Sequence, residues 1–365
     1  MARKLILAFA VAVFYVTGCS RDHRAPAPAP AQDRPAAERT SDFLLERLRS
    51  ERLPALVSVE PWSGGYGRGL KLTTDHYEVF TTVRQPLMLR MIPGFVEAAH
   101  QGYNAQLPQP IRTASKFTIY LFADRRQWED FTYSFAGEQA PIFCKIKTGA
   151  YYLNGVCVVY DIGAKRTLAA IGHEGWHQFN SRHFTYRLPS WLDEGVAMQF
   201  ETSVYEGGMF RFDPAANAQR LGTLKQTLGK AKQIPLNELV ATSPGEVLAT
   251  DQAEAVMAFY SQSYALVRFL REAGYGRRLP SYRQLLWDGL SGNWPLDTSA
   301  GTTAADRNLP RTVPWNRQVG PQLFEHYIGT DLEQIEQEYL AFCRRIARNV
   351  SILPLEETNR FAAGR

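Results

Sequence analysis

The hydrophobic pattern divides the chain into four textures. An apolar run from Leu5 to Val16 follows Arg3 and Lys4. It is shorter than the ~20 residues a spanning helix needs and reads as the core of an export signal. "RAPAPAPAQDRPAAERT" has no apolar periodicity and reads as an Ala/Pro tether, after which "SDFLLERLRSERL" has the spacing of a short amphipathic helix capped at Ser41. From Trp62 the period shortens to two. "LKLTTDHYEVFTTV" predicts a strand pair and "KFTIYLFAD" a buried strand, with helical spacing between them from Met88 to Tyr103. "GAYYLNGVCVVYDIG" predicts a hairpin. Beyond Lys165 the pattern is helical to Asn349, interrupted by "DGLSGNWPLDTSAGTTAADRNLPRTVPWN", a Gly/Pro/Ser/Thr-rich insertion (291–316) too polar for a core. The last helix opens with a Thr330-to-Glu333 capping box and carries Leu332, Ile335, Tyr339, Phe342 and Ile346 on one face. No internal repeat is present. The expected class is α+β: a small strand-rich subdomain (62–165), with an edge-strand hairpin, followed by a mainly helical domain (166–349). A signal (1–18) and a tether (19–61) precede them and a tail (350–365) follows.

Charge and cysteine content sharpen this only locally. The formal net charge is +5, with no basic stripe or aromatic-interleaved patch, so nucleic acid is not expected as a partner. Val16-Thr17-Gly18-Cys19 resembles the bacterial lipobox, which would make Cys19 the lipidated N-terminus and the membrane a partner through that anchor. Ser20 stands where inner-membrane retention would call for Asp, favouring the outer membrane and a periplasm-facing domain. Cys144 and Cys157 flank the hairpin reversal; in an oxidising setting they form a disulfide or remain two buried thiols. Cys343, on an apolar helix face, is expected as a buried free thiol. His76 and His100 lack ligand spacing to anything nearby and read as surface or structural residues.

The chemistry concentrates in "IGHEGWHQF". On a helix His173 and His177 project from one face and can fill two corners of a tetrahedral Zn²⁺ site, while Glu174 stands where a general base is needed. The bland alternative is an amphipathic helix with satisfied core histidines, so a third ligand matters. Downstream, "LPSWLDEGVAMQFE" predicts a helix capped by Ser190 with Asp193 completing a capping box. It presents Glu194 in its first turn and Glu201 seven residues later on the same face. Glu194 would complete a His₂Glu set with one open position, the catalytic arrangement, and Glu201 would back a ligand histidine as a hydrogen-bond acceptor.

"HEGWH" followed by "WLDEGVAMQFE" resembles the gluzincin metallopeptidases, and the whole chain is most similar to their peptidase MA-like, domain-of-unknown-function branch, down to "YLFADRRQWEDF" ahead of the zinc helix. The resemblance implies a zincin-like fold and one zinc per chain held by His173, His177 and Glu194, with Glu174 as base. It also aligns "YSQSYALVRFL" with the segment whose tyrosine stabilises the oxyanion, implying that role for Tyr260, with Tyr264 as the competing candidate. Gln262 and Ser263 replace the family's lysine and glycine there. No GAMEN-like stretch is present, so aminopeptidase activity does not carry over. The expected function is a zinc metallohydrolase of amide bonds, an endopeptidase acting on peptide or protein at the envelope, or on peptidoglycan peptides. The alternative is a catalytically inactive zincin-fold lipoprotein serving as a binding scaffold.

Overall fold

The computed structural model describes residues 36–146, 149–248, 253–306 and 313–350. The signal, Cys19, the tether up to residue 35 and the tail beyond residue 350 lie outside the described residues. Among the described residues no helix is long and apolar enough to cross a membrane.

The fold is mixed α and β, with a six-stranded sheet in the N-terminal half and helices making up most of the rest. Helix α1 (Ala36–Ser50) precedes β1 (Ser58–Ser63), β2 (Arg68–Thr73) and β3 (Tyr77–Thr81), and α2 (Pro86–Asn104) crosses over to β4 (Phe117–Phe122). Helices α3 (Arg125–Ala136) and α4 (Ala140–Phe143) then lead into the hairpin of β5 (Ala150–Leu153) and β6 (Val156–Tyr160). The spatial order is β1-β2-β3-β4-β6-β5. β3, β4 and β6 run parallel; β5 pairs antiparallel with β6 and is one edge of the sheet, β1 the other. Asn154 and Gly155, with φ of 50° and 83°, make the two-residue reversal between β5 and β6 that the right-handed strand twist favours.

Strand alternation sends Leu70, Leu72, Val79, Ile119, Leu121, Cys157 and Val159 to one face of the sheet, into the main core. Phe122, Tyr151, Val158 and Tyr160 point the other way, under Trp128 and Phe131 of α3. This alternation corrects the disulfide expectation. Cys157 is fully buried in the main core while Cys144 packs against the opposite cluster, so the sheet separates the two side chains and both are free thiols. Cys343 is a free thiol too and, like Cys157, buried.

The folded region also begins earlier than the expected boundary at 62. Leu44, Leu45 and Leu48 of α1 are buried in the main core, beside β1 and β2. His76 and His100 are not separate surface residues. Their rings stack at 3.7 Å, and His100 is buried. The neighbouring Glu97 carboxylate already accepts from the Thr74 hydroxyl at 2.6 Å, the His76 amide at 2.8 Å and His76 Nδ1 at 2.7 Å. Contrary to the expectation that they lack ligand spacing, His76, His100 and Glu97 bring one potential ligand atom each to within 4.8 Å of the others; the Glu97 hydrogen bonds also tie the β2–β3 turn to α2.

The helical half starts with α5 (Ala164–His183) and α6 (Ser190–Ala197). A short hairpin follows, β7 (Ser203–Glu206) with β8 (Met209–Phe212), then α7 (Ala218–Gly229), α8 (Leu236–Ala241) and α9 (Pro244–Leu248). Helix α10 (Ala253–Gly276) loses helical dihedrals from Ala273; it leads to α11 (Leu279–Ser291), α12 (Thr298–Ala305), α13 (Val313–Tyr327) and α14 (Leu332–Ala347). Helix α14 is capped by Asp331, whose side chain accepts from the Gln334 amide, rather than by Thr330. The insertion is not the core-free segment its composition suggests. Trp294, Ala300, Ala304, Trp315 and Asn316 are all buried, and α12 lies within it.

Candidate metal centre

Helix α5 packs against α2, α6 and the β5–β6 hairpin. Ile171, Trp176 and Phe179 are buried on its core side, and Gln178 Nε2 donates to the carbonyls of Thr118 and Gly155, each at 2.8 Å, tying the helix to β4 and the hairpin turn. Tyr103 of α2 donates its hydroxyl to the Gly172 carbonyl at 2.8 Å. The remaining face carries His173, Glu174 and His177 into a cleft of about 730 Å³. One wall is Ile146 with Ala150, Tyr151 and Tyr152 of the edge strand β5; the other is Glu194 of α6, Gln219 and Arg220 of α7, and Tyr260 of α10.

His173, His177 and Glu194 bring one ligand atom each to within 4.8 Å of the others. His173 Nε2 lies 3.3 Å from His177 Nε2 and 3.4 Å from Glu194 Oε2, and His177 Nε2 lies 3.9 Å from Glu194 Oε1. A tetrahedron with ligand bonds of ~2.0–2.1 Å has edges of about 3.3 Å. The opposite ring nitrogens face carboxylates: His173 Nδ1 lies 3.1 Å from Glu201 Oε1 and His177 Nδ1 3.0 Å from Asp193 Oδ1. An ionised carboxylate only accepts, so each Nδ1 carries the hydrogen and each Nε2 of a neutral ring presents a lone pair. Two lone pairs and a carboxylate thus converge on one point, an arrangement that repels itself unless a cation or protons intervene. The donor set fits zinc.

The protonation tendencies follow the same geometry. Burial opposes charge on His173, but hydrogen bonds to Glu194 and Glu201 outweigh it and carry its pKa up to about 10. Burial likewise opposes charge on His177, and the charges of Asp193 and Glu194 raise it. Burial lifts Glu174 above the usual carboxylate range, against the pull of the two histidines. Glu201 is buried too, yet the Arg220 charge and its hydrogen bonds hold it well below that range. Arg220 Nε donates to Glu201 Oε2 at 2.8 Å, and Asn217 Nδ2 donates to the same oxygen at 2.9 Å.

Tyr260 and Tyr264 part company. Tyr260 lines the cleft with the Arg220 guanidinium 5.7 Å from its ring centre, and its hydroxyl is pushed far up by the Glu194 charge and by burial, which keeps the proton on it. Tyr264 is fully buried and gives its hydroxyl to the Pro214 carbonyl.

Two expectations about α6 need correction. Ser190 does not cap it: Pro189 occupies that position, the Ser190 hydroxyl is buried without a hydrogen bond, and the Ser190 amide donates to Asn316 Oδ1 at 2.9 Å. Asp193 is likewise no cap. Its Oδ1 accepts from Trp176 Nε1 at 3.0 Å and Asn180 Nδ2 at 2.9 Å as well as facing His177. Its position just before Glu194 was the available signal; Arg220 left none. Compared with known proteins, the chain matches no family model and no curated sequence.

Proposed function

We propose that the chain is a zinc-dependent hydrolase of amide bonds with a zincin-like fold of gluzincin type, acting on peptide or protein substrates. The observation that carries this is the convergence of His173 Nε2, His177 Nε2 and Glu194 on one point, with both Nδ1 hydrogens turned outward to Glu201 and Asp193. Zinc held there supplies Lewis acidity toward a water and a carbonyl oxygen. Glu174, raised by burial and facing the same cleft, takes the proton of the attacking water and returns it to the departing amine. Tyr260, protonated at all working pH, donates toward the oxyanion. The extended substrate adds a strand to β5, whose outer edge is unpaired within the sheet and whose residues line the cleft. With the lipobox at Cys19, the same reading makes the protein an envelope lipoprotein facing the periplasm.

The test is zinc stoichiometry by mass spectrometry on a chain beginning after Cys19, wild type beside Glu194→Ala, followed by peptide hydrolysis. One zinc per wild-type chain, largely lost in the variant, is expected. Glu174→Gln is expected to keep zinc and lose hydrolysis by about 10²–10⁴-fold. A folded wild-type protein that takes up no zinc would return the chain to the scaffold reading.

A further inference from the structure

Away from the cleft, His76, Glu97 and His100 form a second group whose potential ligand atoms lie within 4.8 Å of one another. It and the His173 centre are the two such groups among the described residues. The second group adjoins the far end of α5. Thr113 Oγ1 is 2.9 Å from His100 Nε2 and 3.1 Å from Nε2 of His183, the last residue of that helix. His183 lies ten residues beyond His173, an axial distance of about 15 Å, so the two groups are separate.

Each of the three side chains is steadied by a partner, as the ligands of the first centre are. Glu97 Oε1 accepts from the Thr74 hydroxyl at 2.6 Å and the His76 amide at 2.8 Å, which orients the carboxylate and leaves Oε2 facing His76 Nδ1 at 2.7 Å. The Thr113 hydroxyl has one hydrogen between two histidines. When it donates to His183 it accepts from His100 Nε2, and His100 Nδ1 then carries the lone pair. Such outer partners are what fix the tautomer and direction of a metal ligand. His100 is buried and the Glu97 side chain is 11% exposed, but that of His76 is 33% exposed, which opens the group to solvent.

We propose that His76, Glu97 and His100 form a second divalent-metal site, of the imidazole and carboxylate kind that takes zinc, with water completing the coordination. The ion takes the place of the hydrogen between His76 Nδ1 and Glu97 Oε2. That hydrogen moves to Nε2 of the neutral ring, and the pair opens from 2.7 Å toward the ~3.3 Å edge of a zinc tetrahedron. The stacked rings, 3.7 Å between centres, splay to reach one ion, and His76 is the more exposed ring and the one that turns. The role is structural: the ion clamps the β2–β3 turn onto α2. The site is weaker than the centre in the cleft, because a hydrogen bond and a ring stack are given up. Lys116 also donates to the Asp75 carbonyl at 2.8 Å and puts a positive charge on the same turn. Zinc therefore leaves this site on dialysis and returns on titration, and it does so whether or not the chain hydrolyses anything.

The experiment dialyses the chain beginning after Cys19 against zinc-free buffer, then titrates it with zinc from micromolar upward and counts bound zinc by equilibrium dialysis and elemental mass spectrometry. The wild type is expected to take up one equivalent beyond the zinc that survives dialysis. His76→Gln, which keeps the backbone amide bond to Glu97, should lose that added equivalent and retain the first. His100→Gln, whose amide can still donate to Thr113, is the second variant and should lose the same one. Glu194→Ala should do the reverse, losing the zinc that survives dialysis and keeping the His76-dependent equivalent. That pattern supports the second site even if the wild type shows no hydrolysis and no tightly held zinc. A wild type that takes up nothing beyond the Glu194-dependent zinc, or an added equivalent that persists in a folded histidine variant, would overturn it.

Discussion

At the scale of the residue, Asp193 stands out because one of its oxygens gathers Trp176, His177 and Asn180. It faces Nδ1 of His177, accepts from the Trp176 indole and engages Asn180. Asp193→Asn replaces an anionic acceptor by a neutral one. Zinc affinity is expected to fall about 10–100-fold in chelator competition, and an unchanged affinity would mean that His177 is oriented by other contacts. Glu201→Gln makes a different prediction, because Arg220 would be left inside without its counter-charge. The metal-free protein should lose about 3 kcal/mol in urea unfolding, a loss that Glu201→Asp should partly avoid. That His173 and His177 share one face was legible beforehand because helical spacing is local information: four residues align them whatever surrounds them. Asp193 was misread for the complementary reason. The spacing from Ser190 satisfies a capping box, but the residues that compete for its carboxylate lie 13 to 17 positions earlier on another helix. Pattern alone cannot rank a local partner against a distant one.

The elements meet where side chains are missing. A Cβ on Gly195 would lie 2.6 Å from the Ser263 carbonyl oxygen and 2.6 Å from Val267 Cγ2, so α6 touches α10 backbone to backbone. That contact brings Glu194 and Tyr260 to the same cleft. Gly195→Ala must push the two helices apart; a loss of about 1–3 kcal/mol is expected in thermal unfolding, together with reduced zinc content. Wild-type stability and full zinc content in this variant would show that the crossing is more tolerant than its geometry implies. The strands and long helices could be read from periodicity because each buries one face. What escaped was the relation between faces. Cys144 and Cys157 are near in sequence and apart in space because the sheet lies between them, and the insertion's few large residues, Trp294 and Trp315, are core residues hidden in polar text. Three thiols should therefore titrate in a denatured, unreduced chain beginning after Cys19; a count of one would indicate a bridge.

For the molecule as a whole, acid stability has a specific source. Burial, helped by the charge of His76, brings His100 down to about 4, and burial with Arg182 does the same to His183. Thr113 links the two, 2.9 Å from His100 Nε2 and 3.1 Å from His183 Nε2. Between about pH 4 and the ordinary histidine value of 6.5 the unfolded chain binds more protons at these sites than the folded one, so stability falls as the pH drops through that window. Glu97, held low by Thr74 and His76 against its burial, adds the same sign below it. Urea midpoints at pH 7.5 and 4.5 should differ, and His100→Gln should shrink the difference; an equal difference in the variant would assign the effect elsewhere. The hydrogen bond from the Ser190 amide to Asn316 carries a consequence in time. It joins residues 126 positions apart, and at ~5–20 residues per second about 6–25 seconds of synthesis separate them. The HExxH helix and Glu194 thus exist on the growing chain well before the residue that secures the start of α6 has been made. The start of α6 is therefore secured only after residue 316 has been made.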